Sequence, residues 1–182
     1  FEHCRFDAVK KDGDAYGIDP LRCEGCGVCV ALCPAKAIAF PEKECGEWYV
    51  SDTRFGPFVH AQLYPGQENS GRLVTLLKQQ ARELAKRQGL DLVICDGSPG
   101  VGCPVISSLS GASLAVAVVE PTPSGRHDFE RVAALCDHFR IPVAVLINKA
   151  DLNHEEVQAI TRLADDKGYT VVGALPFDPA VT

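Results

Sequence analysis

From residue 92 onward, continuous apolar runs alternate with segments of helical period. Leu92-Val93-Ile94-Cys95, Leu114-Ala115-Val116-Ala117-Val118-Val119, Val143-Ala144-Val145-Leu146-Ile147 and Val171-Val172-Gly173-Ala174-Leu175 carry no polar alternation. Such runs predict strands buried on both faces. Helical patterns over 125–139 and 154–167 separate the last three. Upstream, Leu73, Leu76, Leu77, Ala81, Leu84 and Ala85 fall on one face of a helix over 70–88, capped by Ser70, stopped by Gly89 and laid against a sheet. Trp48-Tyr49-Val50 and Phe58-Val59-His60-Ala61-Gln62-Leu63 predict two further strands. Alternating strands and helices imply right-handed crossovers and a mostly parallel sheet, so residues 46–182 read as an α/β domain.

Residues 1–45 break this pattern, being rich in Cys and Gly, and read as a separate small module. Within it Cys4-Arg5-Phe6-Asp7-Ala8-Val9 echoes Cys33-Pro34-Ala35-Lys36-Ala37-Ile38, an internal repeat cut short at its left end. The chain of 182 residues is 46% hydrophobic and 23% charged, a globular composition able to bury a core. A net charge of −6 with scattered Lys and Arg leaves no basic field for a nucleic acid. No apolar stretch reaches the roughly 18 residues of a membrane span and no signal peptide opens the chain, so a reducing cytoplasm is expected. The sequence neither begins with nor contains Met, and reads as a fragment.

Cys23, Cys26, Cys29 and Cys33-Pro34 reproduce the C-x2-C-x2-C-x3-C-P run of bacterial-type ferredoxins. Thiolates are soft anionic donors suited to iron, and two-residue gaps let one loop wrap three corners of a cubane. Gly25 and Gly27 allow the backbone to close around it. In two-cluster ferredoxins the fourth Cys of a run serves the other cluster. Cys23, Cys26 and Cys29 then need a remote ligand, for which Cys4 is the candidate, and Cys33 serves a second cluster. The alternatives are zinc, which usually takes two separated C-x2-C knuckles, and a set of merely buried thiols. Cys45, Cys95 and Cys136 have no partners at ligand spacing.

Two features suggest a nucleotide. The run over 92–95 ends in Asp96, placed to hold Mg²⁺ or its water at a sheet edge, and Asp96-Gly97-Ser98-Pro99-Gly100-Val101-Gly102 continues as a glycine-rich loop able to move with phosphate. Asp also simply starts turns. Asn148-Lys149-Ala150-Asp151 follows a strand, where an amide could read a purine edge or a polar turn could lead into a helix. Gly66-Gln67-Glu68-Asn69-Ser70-Gly71-Arg72-Leu73 imitates a phosphate loop, but Arg72 and Leu73 replace its Lys and magnesium-binding hydroxyl. It reads as a turn.

Together with Cys4-Arg5-Phe6-Asp7-Ala8, Glu120-Pro121-Thr122-Pro123-Ser124-Gly125 and Ile147-Asn148-Lys149, these motifs resemble the MinD-superfamily P-loop ATPases that carry an inserted ferredoxin domain. The resemblance covers nearly the whole chain. It implies ATP and Mg²⁺, a homodimer in the full-length form, and a deviant Walker A loop upstream that this sequence lacks. Asp96 would be the magnesium-shell carboxylate, with Gly100 in the loop beside the phosphates. Asn148 would be an adenine contact, with Pro176 and Phe177 of Leu175-Pro176-Phe177-Asp178 on the second side of the base. Cys103, seven residues after Asp96, would be a buried thiol beside the switch or a ligand of a bridging cluster. The expected function is ATP-gated electron transfer from ferredoxin-type 4Fe-4S clusters to a redox partner. The alternatives are a cluster carrier of Mrp-like type serving a cluster-acceptor protein and, last, an amidotransferase-type synthase.

Overall fold

The computed structural model describes residues 3–20, 22–23, 25–42, 44–67 and 71–181. The chain divides into two compact units between Glu44 and Cys45. In the first, β1 (Val9–Asp12) and β2 (Ala15–Ile18) pair antiparallel, Val9 facing Ile18 and Asp12 facing Ala15. Their two-residue loop begins with Gly13 at φ +59°, a conformation open to glycine and matched to the twist of a tight hairpin. One short helix follows, α1 (Val28–Leu32). Among the described residues of this unit only Ala8 and Val9 are buried.

The second unit opens with an antiparallel hairpin. β3 (Gly46–Thr53) and β4 (Gly56–Leu63) contain the two strand-like runs expected near 48 and 58. The Thr53 hydroxyl secures the turn, donating to the Gly56 carbonyl at 2.7 Å and accepting from the Phe55 amide at 3.2 Å. Helix α2 (Gly71–Gln88) ends at Gly89, φ +68°, as anticipated; its expected cap, Ser70, lies outside the described residues. It packs on β4, and so on a sheet as expected, and also on α3 (Cys103–Leu109).

The remainder is a three-stranded parallel sheet in the order β5-β6-β7, formed by β5 (Ala115–Val119), β6 (Val143–Ile147) and β7 (Thr170–Ala174). The connecting helices are α4 (Pro123–His138) and α5 (His154–Lys167). Each starts on a side-chain cap. Thr122 accepts from the Gly125 amide at 2.9 Å and Asn153 from the Glu156 amide at 3.1 Å, satisfying donors that have no carbonyl in the first turn. Phe129, Ala133 and Cys136 of α4 and Ile160 and Ala164 of α5 share one core with Val119, Val143, Val145 and Ile147.

Two expectations need correction. Among the described strands only β6 is covered on both faces. Because the helices share one core, the alternate side chains of the outer strands stay open, Val116, Val118 (61% exposed) and Val172 among them. And residues 92–95 form no strand: the segment runs outside any ladder, with Leu92 and Ile94 exposed, Ile94 to 84%. An apolar run becomes a strand only where another strand offers it hydrogen bonds, and none of the described strands pairs with it. The parallel sheet is correspondingly smaller than the sequence suggests.

Tyr169 closes the end of this core. Its hydroxyl donates to Asp137 Oδ2 at 2.7 Å and its ring meets Phe129 edge-on at 6.0 Å. Burial first, then the Asp137 carboxylate, push the phenol up to about 12. A raised acid favours its neutral form, so the stabilisation is complete below the ordinary tyrosine range near 10 and is lost as pH rises through about 12. Urea midpoints should therefore fall across about pH 9–12 in the parent chain and fall less in Tyr169→Phe. Equal slopes would show that the phenol does not carry the alkaline loss.

Candidate functional site

The five cysteines of the expected metal site lie in loops and at the ends of α1. Cys23 and Cys26 are exposed; Cys4, Cys29 and Cys33 are half-buried. The loop that carries them is shaped by glycine. Gly25 has φ +62°, and Gly27, at φ +74°, caps α1 with the Phe40 ring where a side chain would begin, 3.5 Å from an ideal Cβ. A larger residue at 27 would be strained by its backbone, while its Cβ would make an ordinary contact with that ring.

Cys4 and Cys33 sit in two copies of one backbone cradle. The Ala8 amide donates to Cys4 Sγ at 3.3 Å, and the Ala37 amide to Cys33 Sγ at 3.4 Å, each four residues along. The residue before each alanine is left-handed, Asp7 at φ +51° and Lys36 at φ +49°. The internal repeat read in the sequence is thus a repeat of conformation. Backbone N–H groups lower both thiols: Phe6 and then Ala8 for Cys4, Ala37 foremost for Cys33. An amide aimed at sulfur stabilises the thiolate, the form that binds metal.

Among the described residues no three His, Cys, Asp or Glu side chains gather into a group able to hold a metal ion. Thiolates repel one another and converge on the cation that neutralises them. The donor set nevertheless fits an iron–sulfur cluster: soft ligands, amides directed at sulfur, and glycines at positive φ in the loop between them.

The nucleotide-type residues lie elsewhere, in the second unit. Asp96 is exposed at the end of the extended segment, and Gly100, φ +85°, turns the loop that follows it. Gly97 lies over α3, an ideal Cβ there standing 3.6 Å from Ser108 Oγ. Cys103 heads α3 in an exposed position, which corrects the expectation of a buried thiol: its carbonyl lies against Gly71 of α2, but the residue at the open start of the helix stays accessible to solvent. Cys45 and Cys95 are also exposed. Cys136 is a core thiol, 1% exposed, and burial pushes it up.

At the carboxyl ends of the parallel strands three loops are tied together. The Asn148 amide donates to the Val119 carbonyl at 2.9 Å, and the Ala150 amide to the Leu175 carbonyl at 2.8 Å. Lys149, left-handed at φ +55°, pairs with Glu120 at 2.5 Å, and Asp151 Oδ1 accepts from the Phe177 amide at 2.6 Å. Asn148 is half-buried, and Pro176 and Phe177, in the third loop, are exposed. Sequence reasoning gave roles to Asn148, Pro176 and Phe177; it quoted Glu120, Lys149 and Asp151 within motifs but did not see that they join these loops. Their signal was position, since each directly follows a parallel strand or its first turn, where open α/β sheets bind ligands.

A cysteine-rich loop with two thiol cradles has the ligand chemistry of a ferredoxin-type iron–sulfur domain. The 4Fe-4S binding domain family matches residues 16–39, the stretch holding Cys23, Cys26, Cys29 and Cys33. A 7Fe ferredoxin of Hydrogenibacillus schlegelii is 38% identical over 55 residues, 29% of this chain and 70% of that protein. The chain belongs to the ferredoxin-type iron–sulfur proteins. Longer matches join it to two uncharacterized proteins of Methanocaldococcus jannaschii. One is 36% identical over 151 residues, 83% of this chain and 51% of that protein; the other is 23% identical over 164 residues, 90% and 58%. The chain spans little more than half the length of these two relatives. No helix among the described residues is long and apolar enough to cross a membrane.

Proposed function

We propose that this chain is part of an ATP-dependent iron–sulfur redox protein, in which nucleotide binding and hydrolysis gate electron transfer from ferredoxin-type clusters to a partner protein. The observation that carries the reading is the joining, in one chain, of a 4Fe-4S binding domain to an α/β unit whose strand-end loops are tied into one rim. The motifs shared with MinD-type ATPases supply the nucleotide. Cys23, Cys26 and Cys29 would hold one cluster with Cys4, and Cys33 would serve a second. Bound there, a cluster supplies a one-electron reservoir. The chain's own amides at Ala8 and Ala37 keep the terminal thiols in the ligating form.

In the second unit, Asp96 would face magnesium and Gly100 the phosphates. Asn148 would read the adenine edge, with Pro176 and Phe177 covering the other side. Asp151 and Lys149 hold those loops rather than touching the base. The full-length protein would act as a homodimer in a cytoplasmic setting. A protein with this function should show a different rate of cluster reoxidation by an acceptor protein with and without Mg-ATP. Asn148→Ala should reduce that difference by about tenfold in apparent ATP affinity, the size of one lost hydrogen bond to a nucleobase. Equal rates with and without Mg-ATP in the full-length protein would remove the gating. Rapid release of iron and sulfide to an apo-protein would favour a cluster carrier instead, a reading that the exposure of Cys23 and Cys26 keeps in play.

A further inference from the structure

Lys78 lies midway along α2 and is half-buried, yet no carboxylate faces it among its described hydrogen bonds. Its ammonium instead donates to the carbonyls at the end of α3: Ser107 at 3.0 Å, Ser110 at 2.8 Å and Ser108 between them. An ammonium has three protons, and here three carbonyls receive them. Arg82, one turn further along α2, adds a bond to the Gly111 carbonyl at 2.9 Å. The Ser107 and Ser108 carbonyls sit at the negative dipole end of this short helix and those of Ser110 and Gly111 just past it, so two cations from a neighbour supply partners at the end of α3. Burial lowers the Lys78 ammonium, and the three acceptors make good the lost water.

The other end of the contact is equally close. At Gly71, the first residue of α2, an ideal Cβ would stand 2.5 Å from Ser107 Oγ and 3.0 Å from the Cys103 carbonyl. The two helices therefore touch backbone to backbone at one point and are bolted by cations at another. α3 begins directly after the glycine loop at 96–102, and α2 continues the contact to β4. β3, paired with β4, starts two residues after Glu44, where the iron–sulfur unit ends.

We propose that Lys78 is a positioning residue that locks α3 to α2, so that displacement of the glycine loop is carried through both helices to the β3–β4 hairpin. It deepens the gating reading above, and rests on it only for what moves the loop. Nothing about the lock itself requires a nucleotide.

The test uses the iron–sulfur-loaded chain without nucleotide and perturbs the loop by Gly100→Ala, which strains a residue held at φ +85°. Trp48, the only tryptophan, reports from β3. Lys78→Met should speed amide exchange at Ile106, Ser110 and Ala112 about tenfold or more, the scale of a lost charged hydrogen bond, and leave Val145 and Ile147 unchanged. Gly100→Ala should shift Trp48 emission when Lys78 is present and not when it is Met. Should Lys78→Met fail to fold, Lys78→Arg, which keeps a cation at the carbonyls, should show parent-like exchange and the full emission shift, and loss of either there would overturn the lock. The proposal also fails if exchange in α3 is unaltered by Lys78→Met, or if the emission shift is absent or equal in both backgrounds. A full-length protein that ignores Mg-ATP while passing this test would lose the gating reading and keep the lock.

Discussion

Removing iron from the protein under anaerobic conditions should unfold residues 3–44 and leave the parallel sheet standing. The first unit has almost no core of its own. Its described elements are two strands of four residues and a helix of five, and Ala8 and Val9 are its only described buried residues. Phe6, Tyr16, Ile18, Val28, Leu32 and Phe40 are all exposed. Hydrophobic burial at about 25 cal/mol per Å² cannot offset an ordering cost of about 1–2 kcal/mol per residue when so little is buried. Units of this size generally rely on a metal or on disulfides, and the described cysteines are all free. Ligand binding is then also the folding energy. Limited proteolysis after chelation should cut within the first 44 residues while a fragment beginning near Cys45 persists, and visible charge-transfer absorption should vanish in parallel. Cys29→Ser should do the same without chelator. Survival of the first unit to protease after complete iron loss would show that its chain, and not its cluster, holds it together.

The largest loss in the second unit should come from Ile160→Ala. Ile160 is 0% exposed on α5 and belongs to the core that joins both helices to the sheet. Truncating such a residue removes three carbons' worth of transfer energy and leaves a void, together about 3–4 kcal/mol. Against a total of about 5–15 kcal/mol, that shift should be plain in a urea midpoint with an unchanged slope. Val118→Ala, made on the open face of β5, should cost no more than about 0.5 kcal/mol. Similar costs at the two positions would mean that the open face is covered in solution.

Much of this architecture was legible because periodicity reports burial. β6 matches its apolar run residue for residue, and α5 its helical pattern, since both are buried along their length or down one face. The runs around β5 and β7 announced strands correctly but overstated their cover, because Ala and Val are as apolar on an open face as on a closed one. Residues 92–95 show the same limit more sharply: hydrophobicity says that a segment is suited to a ladder and says nothing of a partner. In the first unit the ligand spacing and the Cys-to-Ala repeat were visible, and the family match to residues 16–39 agrees with the spacing. The ion pair of Glu120 with Lys149, the bond from Phe177 to Asp151 and the grip of Lys78 on α3 join residues 26 to 32 positions apart. No local pattern encodes such pairings. They exist because the strands bring distant turns to one edge and because a short helix leaves carbonyls without partners.

The two thiol cradles carry Asp7 and Lys36 at equivalent left-handed positions, opposite charges in the same backbone. What the repeat preserves is the path of the main chain and the direction of one amide; the side chain at the turn is outside that requirement. Each copy can therefore carry its own surface charge without losing its hold on sulfur. The module can diversify its electrostatics, and with them the proteins it meets, while its ligating geometry stays fixed.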